Sequence, residues 1–225
     1  MHFLRKFLKI GSFVCQNQYF VVPLYAFMGM RYEKEDLQAA LKVLREGGII
    51  LYPTDTVWGI GCDATNPDAV AKIYALKQRE DTKSMLVLLD TPAKLNYYVD
   101  VPESAWTLLE AVEGQDPEEA KPLTLIYPNA RHLAPNLIAG DGSIGIRISS
   151  EPFTQALCTQ LKHPIVSTSA NISGEPTPHC FREISEAIKA KVTYICLFRR
   201  EDETPHEPST IIKLNADGTF QIIRP

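Results

Sequence analysis

Residues 49–61 read Ile-Ile-Leu-Tyr-Pro-Thr-Asp-Thr-Val-Trp-Gly-Ile-Gly. Ile49 to Tyr52 is a short apolar run closed by Pro53, which predicts a buried strand running into a loop. Thr54, Asp55 and Thr56 then offer small hydroxyl and carboxylate groups, and Gly59 and Gly61 would let backbone approach a ligand. That composition suits a small polar substrate, although a tight structural turn would use the same residues.

Upstream, Leu37, Ala40, Leu41 and Leu44 give one apolar helical face, and Gly47-Gly48 supplies a C-terminal stop. Downstream, Asn66-Pro67 reads as an N-cap followed by proline at the first helical position, and Val70, Ile73, Tyr74 and Lys77 continue at helical spacing. Further strands are predicted at 85–89, 123–127, 144–148, 165–167, 192–198, 210–214 and 220–223, with Asp217-Gly218 as a hairpin turn. Helical patterns fall near 92–98, at 102–112, along Phe153, Ala156, Leu157 and Leu161, and along Phe181, Ile184 and Ile188. Interleaved strands and helices ending in an antiparallel hairpin predict a single-domain α/β fold with a mixed twisted sheet over 31–225.

The chain of 225 residues is long enough for one full core, and its 45% hydrophobic and 22% charged content is that of a globular protein. Its net charge is −4. Arg5, Lys6 and Lys9 are the only charged residues before Arg31, so the remainder is three charges more negative still. This argues against a generally basic nucleic-acid binder while leaving room for a local cationic pocket. Residues 1–30 read as an N-terminal extension: Gln16-Asn17-Gln18 interrupts an apolar stretch that would otherwise suggest a signal peptide or membrane segment. The five cysteines form no C-x-x-C pair and the five histidines no H-x-x-x-H pair, so reduced thiols, a cytoplasmic location and no dedicated transition-metal site are expected.

Gly140-Asp141-Gly142-Ser143-Ile144-Gly145 matches G-x-G-x-x-G, but a strand-like run follows where a dinucleotide fold needs a helix. More informative is Ser167-Thr168-Ser169-Ala170-Asn171, whose hydroxyls and free N–H groups after a strand end can wrap phosphate oxygens. Lys77, Arg79 and Lys83 add cations at the end of a helix.

Five blocks, P-T-D-T-V-W-G-I-G at 53–61, K-Q-R at 77–79, S-T-S-A-N-I-S-G at 167–174, P-S-T-I-I at 208–212 and the terminal I-I-R-P, resemble the YrdC/Sua5/YciO family of threonylcarbamoyl-AMP synthases. The resemblance runs from about Leu37 to Pro225. It implies a twisted sheet curved around a large basic cavity, and a nucleotidyltransferase of the short form. Such an enzyme makes threonylcarbamoyl-AMP and pyrophosphate from L-threonine, bicarbonate or CO2 and ATP, with Mg2+, for t6A modification of tRNA through a partner threonylcarbamoyl transferase complex. It further implies catalytic roles for Lys77 and Arg79, and L-threonine binding by Thr56, Arg147, Ser167 and Ser209. ATP binding would fall to Arg79, Lys83, Ser143, Ser169, Asn171, Thr177 and Arg224. The chemistry fits these residue types, because in-line attack of a carbamate on the α-phosphorus needs positioning and charge neutralisation rather than a side-chain nucleophile.

The chain departs from the family pattern at Glu80, Ser84-Met85, Leu88 in place of a frequent histidine, and Ala120-Lys121-Pro122. The alternative reading is a YciO-like protein holding tRNA or double-stranded RNA with weak or no synthase activity. Carbamoyl transfer in hydrogenase maturation is a third, disfavoured by the short chain.

Overall fold

A computed structural model describes residues 32–78, 85–114, 121–204, 206–215 and 217–225. The expected extension at 1–30 and most of the acidic stretch at 114–119 lie outside the described residues.

Helix α1 (Lys34–Arg45) buries Leu37, Ala40, Leu41 and Leu44. Gly47 ends it at φ +72°, and two backbone bonds, Gly47 N to Leu44 O and Gly48 N to Val43 O, satisfy its last carbonyls. Helix α2 (Pro67–Lys77) starts as expected, with the Asn66 side chain accepting from the N–H groups of Asp68 and Ala69. The other α-helices among the described residues are α3 (Leu95–Tyr98), α4 (Glu103–Glu113), α5 (Pro152–Leu161) and α6 (Glu186–Lys189). No helix among the described residues is long and apolar enough to cross a membrane.

The strands are β1 (Ile50–Tyr52), β2 (Gly59–Gly61), β3 (Leu86–Leu89), β4 (Leu123–Tyr127), β5 (Ile144–Ile148), β6 (Ile165–Ser169), β7 (Tyr194–Ile195), β8 (Thr210–Leu214) and β9 (Phe220–Arg224). They form one sheet in the order β7-β1-β2-β6-β3-β5-β4-β8-β9. Pairing is parallel for β1/β7, β3/β5 and β4/β8 and antiparallel elsewhere, so the sheet is mixed.

Strand periodicity assigns the two faces. On one, Leu51, Ile60, Val87, Leu89, Leu125, Tyr127, Ile144, Ile146, Val166, Ile212 and Leu214 join the core that includes Val70 and Ile73 of α2. On the other, Ile50, Tyr52, Leu88 and Ile165 pack beneath α1 and α5. The rest of that second face carries Gly145, Arg147, Thr124, Ile126, Ile211 and Lys213, and there the sheet becomes the floor of a cavity.

Three expectations need correction. Residues 59–61 are a strand rather than loop; Gly59 lines the cavity as expected, whereas Gly61 serves packing, because a Cβ there would lie 2.6 Å from both Tyr52 Cε1 and the Val166 carbonyl oxygen. Glycine there admits the buried Tyr52 ring, whose hydroxyl donates to Val166 O. The helix expected along 181–188 breaks into a 3-10 turn (Phe181–Glu183) and α6, because Ile184 is extended at ψ 126° and is itself buried. The strand expected at 192–198 pairs only at Tyr194–Ile195; the Asp36 carboxylate captures the N–H groups of Leu197 and Phe198 and turns the chain away.

Candidate active site

The cavity encloses about 350 Å³ and is walled by the 56–59 segment, β3, β4, β5, β6, Thr177, Pro208, Ser209, two residues of β8 and Arg224. The sheet register arranges its floor in rows. Arg147 lies opposite Thr124, Thr124 opposite Ile211, and Ile211 opposite Arg224, giving one continuous row across four strands. A second row, one pleat repeat or about 7 Å along the strands, holds Gly145, Ile126 and Lys213. Ser143, two residues beyond Gly145, extends the floor in the same direction.

Arg224 reaches this face because of a register shift in β9. Ile211 pairs with Arg224 but Ile212 with Ile222, so Ile223 is an extra residue that brings Arg224 to the same side as Ile211. Its Nε donates to the Ser209 carbonyl at 2.8 Å and an Nη to Ser209 Oγ at 3.3 Å. Partial burial and the nearby Arg147 charge lower its pKa from the ordinary arginine value. The two guanidinium groups repel each other, and an anion between them would relieve that repulsion.

Arg147 is only 3% exposed. One Nη lies 2.9 Å from Asp55 Oδ1, an ion pair without hydrogen-bond alignment, and its Nε is buried with no hydrogen-bond partner among the described residues. Such an orphaned donor is costly to bury and indicates a missing acceptor. The preceding loop is self-bonded: Thr54 Oγ1 accepts from Thr56 N and donates to Val57 O, so Thr56 is held on the wall by a side-chain turn. Ser209 shares a 2.8 Å hydroxyl–hydroxyl bond with Thr124. On the far side, Asp141 Oδ1 accepts from both the N–H and hydroxyl of Ser143, while Asp141 Oδ2 accepts from Lys213 Nζ at 2.7 Å. Those bonds hold the Asp141 carboxyl well below its ordinary range.

Of the residues expected at the site, Thr56, Arg147, Ser167, Ser209, Ser143, Ser169, Thr177 and Arg224 all line this one cavity. Arg79 and Lys83 lie outside the described residues. Lys77 and Asn171 stand apart from the lining. Lys77 is 2% exposed, and its ammonium donates to the carbonyls of Ser169 (2.5 Å) and Asn171 (2.8 Å). Asn171 accepts from Ser169 Oγ and donates to the carbonyls of Ile172 and Glu175. Together they tie the end of α2 to the loop that presents Ser169. Leu88, where the family often has histidine, packs in the core with Phe153 and Cys158 rather than on the cavity wall.

Thr124, Gly145 and Lys213 were not singled out from the sequence. The signal for the first two is present in the strand alternation: Leu123-Thr124-Leu125 and Ile144-Gly145-Ile146-Arg147-Ile148 place their non-core residues on the cavity side.

A family model named for Sua5, YciO and YrdC, with the description "Telomere recombination", matches residues 42–225. Threonylcarbamoyl-AMP synthase of Hydrogenovibrio crunogenus is 37% identical over 139 residues, covering 62% of this chain and 74% of that one. The corresponding Vibrio campbellii protein is 30% identical over 190 residues, covering 84% and 98%. Among solved structures, P. abyssi Sua5 complexed with L-threonine superposes with a TM-score of 0.70 at 26% identity, over 82% of this chain and 52% of its own. This chain thus spans about half of that protein. E. coli YciO superposes with a TM-score of 0.72 at 25% identity, covering 85% and 89%. The family match over most of the chain and the shared fold lead to one conclusion: the chain belongs to the Sua5/YciO/YrdC family.

Proposed function

We propose that this protein is a threonylcarbamoyl-AMP synthase, joining L-threonine, CO2 or bicarbonate and ATP into threonylcarbamoyl-AMP with release of pyrophosphate. The observation that carries the reading is the cationic row of the cavity floor. Arg147, with its unpartnered Nε, and the opposing Arg224 face a space bordered by hydroxyls from Thr56, Thr124, Ser167 and Ser209. A carboxylate or phosphate bound there would be stabilised by charge-assisted bonds.

The described lining contains no carboxylate, thiol or imidazole, so the residues present act by positioning and electrostatics. The threonine amine adds to CO2, losing a proton and forming a carbamate. A carbamate oxygen then attacks the α-phosphorus of ATP, and the bond to the bridging oxygen of pyrophosphate breaks. Arg147, Thr56 and Ser209 would hold the amino acid, while Ser143, Ser169, Thr177 and Arg224 would hold the nucleotide. Lys77 and Asn171 would support this arrangement from behind by fixing the Ser169 loop. With no acidic group in the described lining, Mg2+ would enter on the triphosphate oxygens and neutralise their charge. The activated product would be passed to a transferase that modifies tRNA.

The test is pyrophosphate release from purified protein with ATP, bicarbonate and Mg2+, with and without L-threonine. Release that depends on L-threonine is expected. No such release, together with salt-sensitive RNA binding, would instead support a YciO-like RNA-binding role.

A further inference from the structure

Lys213 lies outside every block that carries the family resemblance, yet it lines the same cavity. From β8 its side chain projects onto the cavity floor in the second row, opposite Ile126 of β4. It therefore stands about 7 Å along the strands from the row of Arg147 and Arg224, toward Ser143. The register grades the floor chemically: the proposed amino-acid contacts Arg147 and Ser209 lie at one end, and Ser143 and Lys213 lie toward the other.

Asp141 joins this second end. One of its oxygens braces Ser143 and the other accepts from Lys213 Nζ, so the lysine is held beside a proposed nucleotide contact. Unlike the buried Arg147, Lys213 is 36% exposed. It sits where the cavity meets solvent, and an ammonium there can move from a carboxylate partner to an incoming phosphate without losing a buried contact.

We infer that Lys213 is an additional phosphate ligand that contacts the portion of ATP beyond the α-phosphate, the part released as pyrophosphate. This rests on the synthase reading, in which the α-phosphorus lies beside the amino acid; of the two parts of ATP that extend from it, only the outer phosphates carry the charge that an ammonium already paired with a carboxylate would recognise.

The experiment is calorimetric titration of wild-type protein, Lys213→Gln and Lys213→Arg with Mg-ATP and, separately, with AMP, no threonine being present. Lys213→Gln is expected to weaken ATP binding at least fivefold while leaving AMP within twofold, and Lys213→Arg to stay within threefold for both. A common thermal midpoint across the three proteins would establish that the fold is unchanged. ATP binding by Lys213→Gln within twofold of wild type, or equal losses for ATP and AMP, would overturn the inference. A wild-type protein that binds no ATP would overturn the synthase reading itself, which keeps the two failures distinct.

Discussion

Lys77 Nζ lies 2.8 Å from the carbonyl oxygen of Asn171, although 94 residues separate them in the chain. The same ammonium reaches Ser169 O, and Ser173 N donates back to the Lys77 carbonyl, so the end of α2 and the 169–173 loop are bonded in both directions. Hydrogen bonds to a charged group contribute about 1.5–3 kcal/mol each. Lys77→Met is therefore expected to lower the thermal midpoint and to slow turnover at least tenfold. A cation that only touched phosphate would give the second effect without the first. Thermal unfolding measured beside steady-state rates separates the two.

Arg147 and Asp55 form a buried pair with both side chains under 5% exposed. Removing one partner of such a pair leaves a buried charge, at a cost of about 3–5 kcal/mol. Arg147→Met should thus be severely destabilised and inactive. The double variant Asp55→Asn/Arg147→Met should recover much of the stability and none of the threonine-dependent activity. Denaturant melts of both proteins check the first half, and a pyrophosphate assay checks the second. Activity in the double variant would remove Arg147 from the amino-acid site.

How much of this was legible before the structure depends on whether the determining contacts are local. The β5 pattern of alternating isoleucines fixed Gly145 and Arg147 on one face, and Asn66-Pro67 marked the start of α2, because both signals lie within a few residues. Ligand approach is the right reading of Gly59, which lines the cavity, but not of Gly61, because nothing nearby in the chain reveals that Tyr52 needs the space there. Lys77 was correctly expected at the end of a buried stripe, but its residue type suggested phosphate, and its carbonyl partners lie far along the chain. Lys213 was missed for the same reason. Its place on the floor follows from β8 pairing with β4, a register no local pattern encodes.

Glu151 caps α5 by accepting from Phe153 N and pairs with Arg199 at 2.7 Å. Burial nonetheless raises its pKa above the ordinary 4.5, with Asp55 adding to the shift and Arg199 opposing it. A raised carboxyl pKa means the native state binds more protons than the unfolded chain between 4.5 and the native value. Stability from this group therefore falls as pH rises through that window. In Glu151→Gln that negative contribution is absent, so the slope of stability against pH just above 4.5 should be more positive than in wild type. Urea melts at half-unit pH steps measure it, and an unchanged slope would contradict the assignment.

The Thr124–Ser209 bond offers the finest test of the amino-acid end of the cavity. Thr124 is 1% exposed on β4, and its hydroxyl fixes the rotamer of Ser209, which also receives Arg224. Thr124→Val keeps the shape and the strand preference while deleting that one bond. A neutral hydrogen bond contributes about 0.5–1.5 kcal/mol, so a roughly twofold to twelvefold rise in KM for L-threonine is expected. The thermal midpoint should move little, because valine fills the same space. If Ser209 contacts only the nucleotide, KM for ATP would rise instead and that for threonine would not, so measuring both constants in one variant decides which substrate lies over β4.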